Sequence, residues 1–173
     1  MKNDHHRHMD IYQLVLFITG IITFGFLDGL TATQMMAKYG FMAEYNPLFR
    51  YVSINYGMAS FLLLKLTSVS LVLSTPLLMQ RVSKDSMYWM TNGFLGVFAV
   101  SGFVAALDNY SMLRDGVAFI DPKIVLGLTL IFVFSAIFIG DSIDEKRNKK
   151  NSNRFKISDE EWQRMKYEMG YPA

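Results

Sequence analysis

Four long apolar runs separated by short polar stretches set the pattern of this chain: roughly Ile11–Met36, Gly57–Met79, Trp89–Leu113 and Ile124–Gly140. Each comes near or exceeds the ~20 residues that cross a ~30 Å hydrocarbon core. Backbone in lipid must satisfy its own hydrogen bonds, so the runs predict helices. The fourth run is the shortest, but Asp121-Pro122 offers an N-cap and a first-turn proline that extend it back to Pro122. Asn46-Pro47 gives the same signal ahead of Leu48, Phe49, Tyr51, Val52 and Ile54. That predicts a short helix lying along the interface or folding back into the bundle. Pro76 predicts a kink near the end of the second span. The first run is too long for a signal-peptide core and lacks a small-x-small cleavage site, so it reads as a retained span.

Beyond Gly140 the pattern changes. Residues 141–157 are polar, basic and rich in asparagine, and read as a linker. Ser158 and Glu161 then form a capping box, and Gly170 with Pro172 provides a stop. Trp162, Met165 and Met169 fall on one face of the helix so bounded. The expected fold is therefore all-α: a polytopic membrane protein with four transmembrane helices, a short interfacial helix and an amphipathic C-terminal helix. Its expected parts are a cytoplasmic N-tail over 1–10, a four-helix domain over 11–140, a linker over 141–157 and a cytoplasmic tail helix over 158–173.

Charge adds an orientation. Of the lysines and arginines outside the spans, twelve fall on the side of the termini and the second loop, and four on the other. The positive-inside rule then puts both termini in the cytoplasm, for a multi-pass protein of the cell membrane. Most of that bias comes from the C-terminal tail. Tyrosines and Trp89 collect at the predicted ends of the spans, as interfacial aromatics do.

Composition narrows the chemistry. Of 173 residues, 51% are hydrophobic and 18% charged, too little charge to cover a soluble domain. There is no cysteine, which excludes disulfides, thiolate metal sites and cysteine nucleophiles. A net charge of +2 gives no reason to expect a nucleic-acid partner. All three histidines, His5, His6 and His8, lie in the N-tail. They are weak metal candidates, more simply read as a fortuitous run. No histidine falls in a span, so Ser68, Ser70 and Ser74 have no base for a Ser-His hydrolase. The twelve methionines read as adaptable packing. No phosphate loop, dinucleotide fingerprint or zinc-protease motif is present, and the sequence names no cofactor.

Ionisable groups inside the apolar runs demand an explanation, because each costs at least ~2.5–3.5 kcal/mol at mid-bilayer. In this topology Asp28 ends the first span, and Asp108 with Asn109 ends the third on the same side. Lys65 lies eight residues past Gly57, about 12 Å deep at 1.5 Å per residue, and its stem can climb toward the interface. Asp28, Lys65 and Asp108 thus reach one level. Glu44 can fold over them from the loop, and Thr31 shares a helix face with Asp28. Pairing of one lysine with two aspartates is expected. Two readings follow: an inert ion pair that fixes helix register, or a site for a proton, cation or hydrogen-bond donor. Two or three carboxylates could also hold Mg²⁺ or Mn²⁺, although their spacing does not demand it.

The sequence Asp28-x-x-Thr31 at the end of the first helix, followed by Glu44-x-Asn46-Pro47, resembles the DUF5658 family of small four-helix membrane proteins of archaea and bacteria. A lysine in the second helix would match Lys65, and polar residues ending the third would match Asp108 or Asn109. The resemblance spans about residues 10–140 and leaves out the basic tail. It implies the four-helix topology and the polar cluster, and no particular activity.

Two functions remain. The first is an accessory or structural subunit of a larger membrane complex, without catalytic activity of its own. It would meet other subunits or copies of itself through Gly93, Gly96 and Gly102 of the third helix and through Trp162, Met165 and Met169 of the tail. The second is a small cation, proton or polar-solute transporter acting as a homo-oligomer. A membrane-embedded enzyme using Asp28 and Glu44 comes third.

Overall fold

The computed structural model of the chain describes residues 9–83, 85–154, 164 and 168. Four helices are long and apolar enough to cross a membrane: α1 (Ile11–Tyr39), α2 (Pro47–Val82), α3 (Tyr88–Asp115) and α4 (Pro122–Arg154). No strand occurs among the described residues. The chain is thus an all-α protein with the make-up of a multi-pass membrane protein. His5, His6 and His8 lie outside the described residues, as do Trp162, Met165 and Met169; Arg164 and Glu168 of the tail are helical and exposed.

α1 is not a uniform α-helix. Residues Ile21–Leu27 form a π-helical segment, which the apolar pattern did not announce. The wider turn shifts the angular register of everything after it. Gln13 and Gly20 before the segment, and Asp28, Ala32 and Met36 after it, are all buried. Thr23 braces the segment: its hydroxyl donates to the Thr19 carbonyl (2.9 Å) and lies at the same distance from the Ala99 carbonyl of α3 (2.9 Å). α1 lies close against α3 here, since a Cβ on Gly102 would collide with the backbone of Phe24.

The Asn46-Pro47 signal is realised. The Asn46 side chain accepts from the amides of Leu48 (3.0 Å) and Phe49 (3.4 Å), with Pro47 in the first turn. Residues 47–56 fold back into the bundle: Ser53 is buried, and Phe49 packs edge-on against Phe61 beside Ala32 and Met36. Gly57 then breaks the helix with φ +82°, a conformation that L-residues with side chains avoid. Asp121 likewise caps α4, accepting from the Lys123 amide at 2.8 Å.

α4 corrects the linker reading over 141–154; residues 155–157 lie outside the described residues. The helix does not end at Gly140 but continues to Arg154. Glu145 and Lys149 form an i,i+4 pair at 2.5 Å on this extension. Gly140 allows α4 to lie directly on the Trp89–Met90 backbone. One turn further on, buried Asp144 accepts from the amides of Trp89 (2.9 Å) and Met90 (3.1 Å). α3 has no side-chain cap from its own N-cap residue, Met87. Asp144 therefore caps one helix from the middle of another. Asp144→Ala should cost ~0.5–2 kcal/mol, the usual cost of losing a cap. Hydrogen exchange should show it as faster exchange at the Trp89 and Met90 amides, with the middle of α3 unchanged.

α3 is the central helix and packs on each of the other three helices. Leu95, Ala99, Gly102 and Ala106 recur at three- and four-residue intervals, are all buried, and face α1. Gly93 touches Ala136 of α4, so Gly93 and Gly102 are both used inside the chain, whereas Gly96 has open space beside it. α4 packs chiefly on α3. Only 11% of its apolar window is buried, at a mean hydropathy of 2.3, so most of its surface suits hydrocarbon rather than water.

Candidate functional site

Asp28, Thr31, Lys65, Asp108 and Asn109 gather at the end of the bundle that carries the 40–46 and 116–121 connections. Lys65 Nζ lies 2.7 Å from Asp28 Oδ2, with side-chain exposures of 7% and 10%. Asn109 Nδ2 donates to the other oxygen, Asp28 Oδ1, at 2.7 Å, and reaches Thr31 Oγ1 at 3.2 Å. Both Asp28 oxygens are thus engaged by groups from two other helices. The Lys65 ammonium also lies over the rings of Phe61 (5.5 Å) and Phe49 (6.0 Å), a favourable position for a desolvated cation.

The expected contact of Lys65 with two aspartates is not found. Among the described residues, Lys65 pairs with Asp28 alone. Asp108 is buried, and its Oδ1 accepts from the Ile120 amide at 2.8 Å, which closes the 116–121 turn. Helix phase explains the difference. Asn109 continues the series Leu95, Ala99, Gly102, Ala106 that faces α1, so it meets Asp28. Asp108 instead continues Ser101 and Ala105, and Ser101 bonds Thr129 of α4 at 3.0 Å. The two adjacent residues face different neighbours.

Glu44 sits half-buried above the pair. Its Oε1 accepts from the Asn46 amide (2.8 Å), and its carbonyl accepts from Arg50 Nε (2.8 Å). The Glu44-x-Asn46-Pro47 motif is thus also a folding device that caps α2. Burial pushes the Glu44 carboxyl above its ordinary 4.5, against the opposing pull of the Asn46 amide and Lys65; Asp28 adds to the rise and Arg50 reduces it. The native state therefore holds a proton that the unfolded chain has released above about 4.5. Stability should fall as pH rises through the folded value. Glu44→Gln removes this titration. Between pH 4.5 and 7 its melting temperature should vary less with pH than the wild type's; equal slopes would contradict the assignment.

Between these groups lies a cavity of about 520 Å³, bordered by all four helices and the first loop. Of the expected polar cluster, every residue except Thr31 lines it: Asp28, Glu44, Asn46, Lys65, Asp108 and Asn109. Sequence reasoning missed the fourth wall, formed by Lys123, Val125, Leu126 and Thr129 of α4. Lys123 at the start of α4 was the available signal. Its volume falls in the ~300–1,000 Å³ range of small-molecule sites. No three acidic or histidine side chains among the described residues gather closely enough to hold a metal ion. The carboxylates instead stand apart around a common space.

A second polar cluster, which the sequence reading also missed, occupies the opposite end of the bundle. Gln13 and Gln80 are buried and exchange amide hydrogen bonds at 2.8 and 3.3 Å. Buried Thr91 lies 3.4 Å from the Pro76 carbonyl. A glutamine near the start of the first apolar run and another directly after the second were the available signal. Apolar packing around Val69, Leu73 and Leu95 separates the clusters.

The model of a family described as a domain of unknown function, DUF5658, matches residues 19–115. The match takes in the Asp28-x-x-Thr31 and Glu44-x-Asn46-Pro47 motifs, Lys65, Asp108 and Asn109, and stops short of α4. No curated protein and no solved structure matches the chain. With more than half its length matched, the chain belongs to the DUF5658 family.

Proposed function

We propose that this DUF5658 member is a small transporter of cations or polar solutes, with the cavity at the Asp28–Lys65 end as its substrate site. The observation that carries the reading is a roomy cavity lined by carboxylates from separate elements, rather than a closed ion pair. A pair serving only helix register needs no space beside it. The pair is also neutral overall, so Glu44 and Asp108 set the sign of the field against the exposed Lys123. Intramembrane ionisable groups facing a cavity are the usual substrate and ion contacts of transporters. The protein would sit in the cytoplasmic membrane with both termini inside and the cavity facing outward, and would act as a homo-oligomer. The subunit reading draws on the exposed apolar face of α4 and the tail; two of its three glycines are already used within the chain.

Currents from proteoliposomes on a solid-supported membrane test the proposal, with concentration jumps of K⁺, methylammonium and phenethylammonium. A protein-dependent current for at least one cation, reduced in Asp108→Asn, is the expected result. No current above empty liposomes for any of the three would remove the transport reading.

A further inference from the structure

We infer that the cavity takes an organic ammonium ion with an apolar body, its charged head set toward Asp108 and Glu44. This rests on the reading of the cavity as the solute site and adds the chemical class of what binds.

Asp108 gives the head group its position. The residue is 6% exposed, yet among the described residues only one of its oxygens is used, by the Ile120 amide. Its Oδ2 has no hydrogen-bond or ion-pair partner among the described residues, although the residue lines the cavity. That oxygen is not sealed inside the protein, so it is open to a donor that enters the cavity. Glu44 approaches the same space from the loop and likewise has one oxygen without a partner. The charges nearest Glu44 are Lys65, Asp28 and Arg50, with Lys123 exposed on the α4 wall. Lys65 is neutralised by Asp28 at 2.7 Å. Arg50 bonds the Glu44 carbonyl and does not line the cavity; among the lining residues, with Glu44 ionised, Glu44 and Asp108 against Lys123 leave a negative balance.

The walls select the body. Phe24, Phe49, Val125 and Leu126 make much of the lining apolar. A bare alkali ion would leave most of the ~520 Å³ without complementary contact. The carboxylates are too dispersed to form a compact cation cage. An ammonium head bearing an aryl or branched alkyl group meets both conditions. Ionisation of Glu44 should strengthen binding, so affinity should rise with pH through its titration.

Titration calorimetry on the full chain in nanodiscs, with empty discs subtracted, tests the inference using four probes: phenethylamine, phenethyl alcohol, 3-phenylpropionate and methylamine. Phenethylamine should bind at least ten-fold more tightly than each of the others. Asp108→Asn, which keeps an acceptor for the Ile120 amide, should weaken phenethylamine about ten-fold and leave phenethyl alcohol unchanged. Val125→Phe, which fills the apolar wall, should weaken phenethylamine more than methylamine, and it provides a second arm if Asp108→Asn does not fold. Equal affinity for the alcohol or the propionate would overturn the cationic head but leave a solute cavity standing. Equal affinity for methylamine would overturn the apolar body. Binding of none of the four would overturn the inference together with the cavity reading beneath it.

Discussion

Lys65→Met should destabilise the protein by about 3–5 kcal/mol, the usual consequence of removing one partner from a buried ion pair. The loss comes from Asp28 rather than from the lysine. Asp28 Oδ2 sits 2.7 Å from Lys65 Nζ and, with the ammonium gone, would keep only the Asn109 amide on its other oxygen. Methionine matches the stem of lysine and preserves its contacts with Phe49 and Phe61, so packing changes little. The double variant Asp28→Asn with Lys65→Met should recover most of the loss, because no charge is then left buried. Denaturant titration of the purified protein in mixed micelles reads both numbers. A double variant as unstable as the sum of the two singles would mean that the side chains do not meet.

Gly102→Ala should be nearly as damaging, at the upper end of the ~1–3 kcal/mol typical of overpacking. The added methyl would collide with the Phe24 backbone, and backbone yields less readily than a side chain. Gly96→Ala is the internal control. It lies on the same helix, has nothing within 4 Å of its added Cβ, and should be neutral or slightly stabilising. The consequence extends to the site. Gly102 and Asn109 stand on one face of α3 two turns apart, and Phe24 lies one turn before Asp28. Forcing the helices apart at Gly102 should therefore loosen the Asn109–Asp28 bond. Paired melting curves of the two alanine variants give the comparison. Equal melting temperatures would show that α1 and α3 are not in close contact.

How much of this was legible in the sequence depends on the length scale of each signal. The four spans follow from hydropathy alone, and the Asn46-Pro47 and Asp121-Pro122 starts follow from capping chemistry, so both were readable residue by residue. The polar cluster was readable as a depth: Asp28, Lys65 and Asp108 had to reach one level. Which aspartate met the lysine depended on helix phase. The spacing Leu95, Ala99, Gly102, Ala106, Asn109 carried that information, but the depth argument passed over it. The π-helical segment was not legible, because Ile21–Leu27 carries no residue that demands a wide turn; the close approach at Gly102 and the Thr23–Ala99 contact are tertiary facts. The linker reading failed over 141–154 because composition alone cannot tell a solvated helix from a solvated coil. Asp144, reaching across to cap α3, ties that stretch down.

The absence of cysteine makes one measurement especially clean. A single cysteine at Ala105, on the cavity wall between α3 and α4, can be treated with cationic and anionic methanethiosulfonate reagents of similar size. A negative cavity predicts that the cationic reagent reacts several-fold faster, and that the preference shrinks in Asp108→Asn. A thiol that reacts with neither reagent, or faster with the anionic one, would contradict an accessible negative cavity and the transport reading built on it.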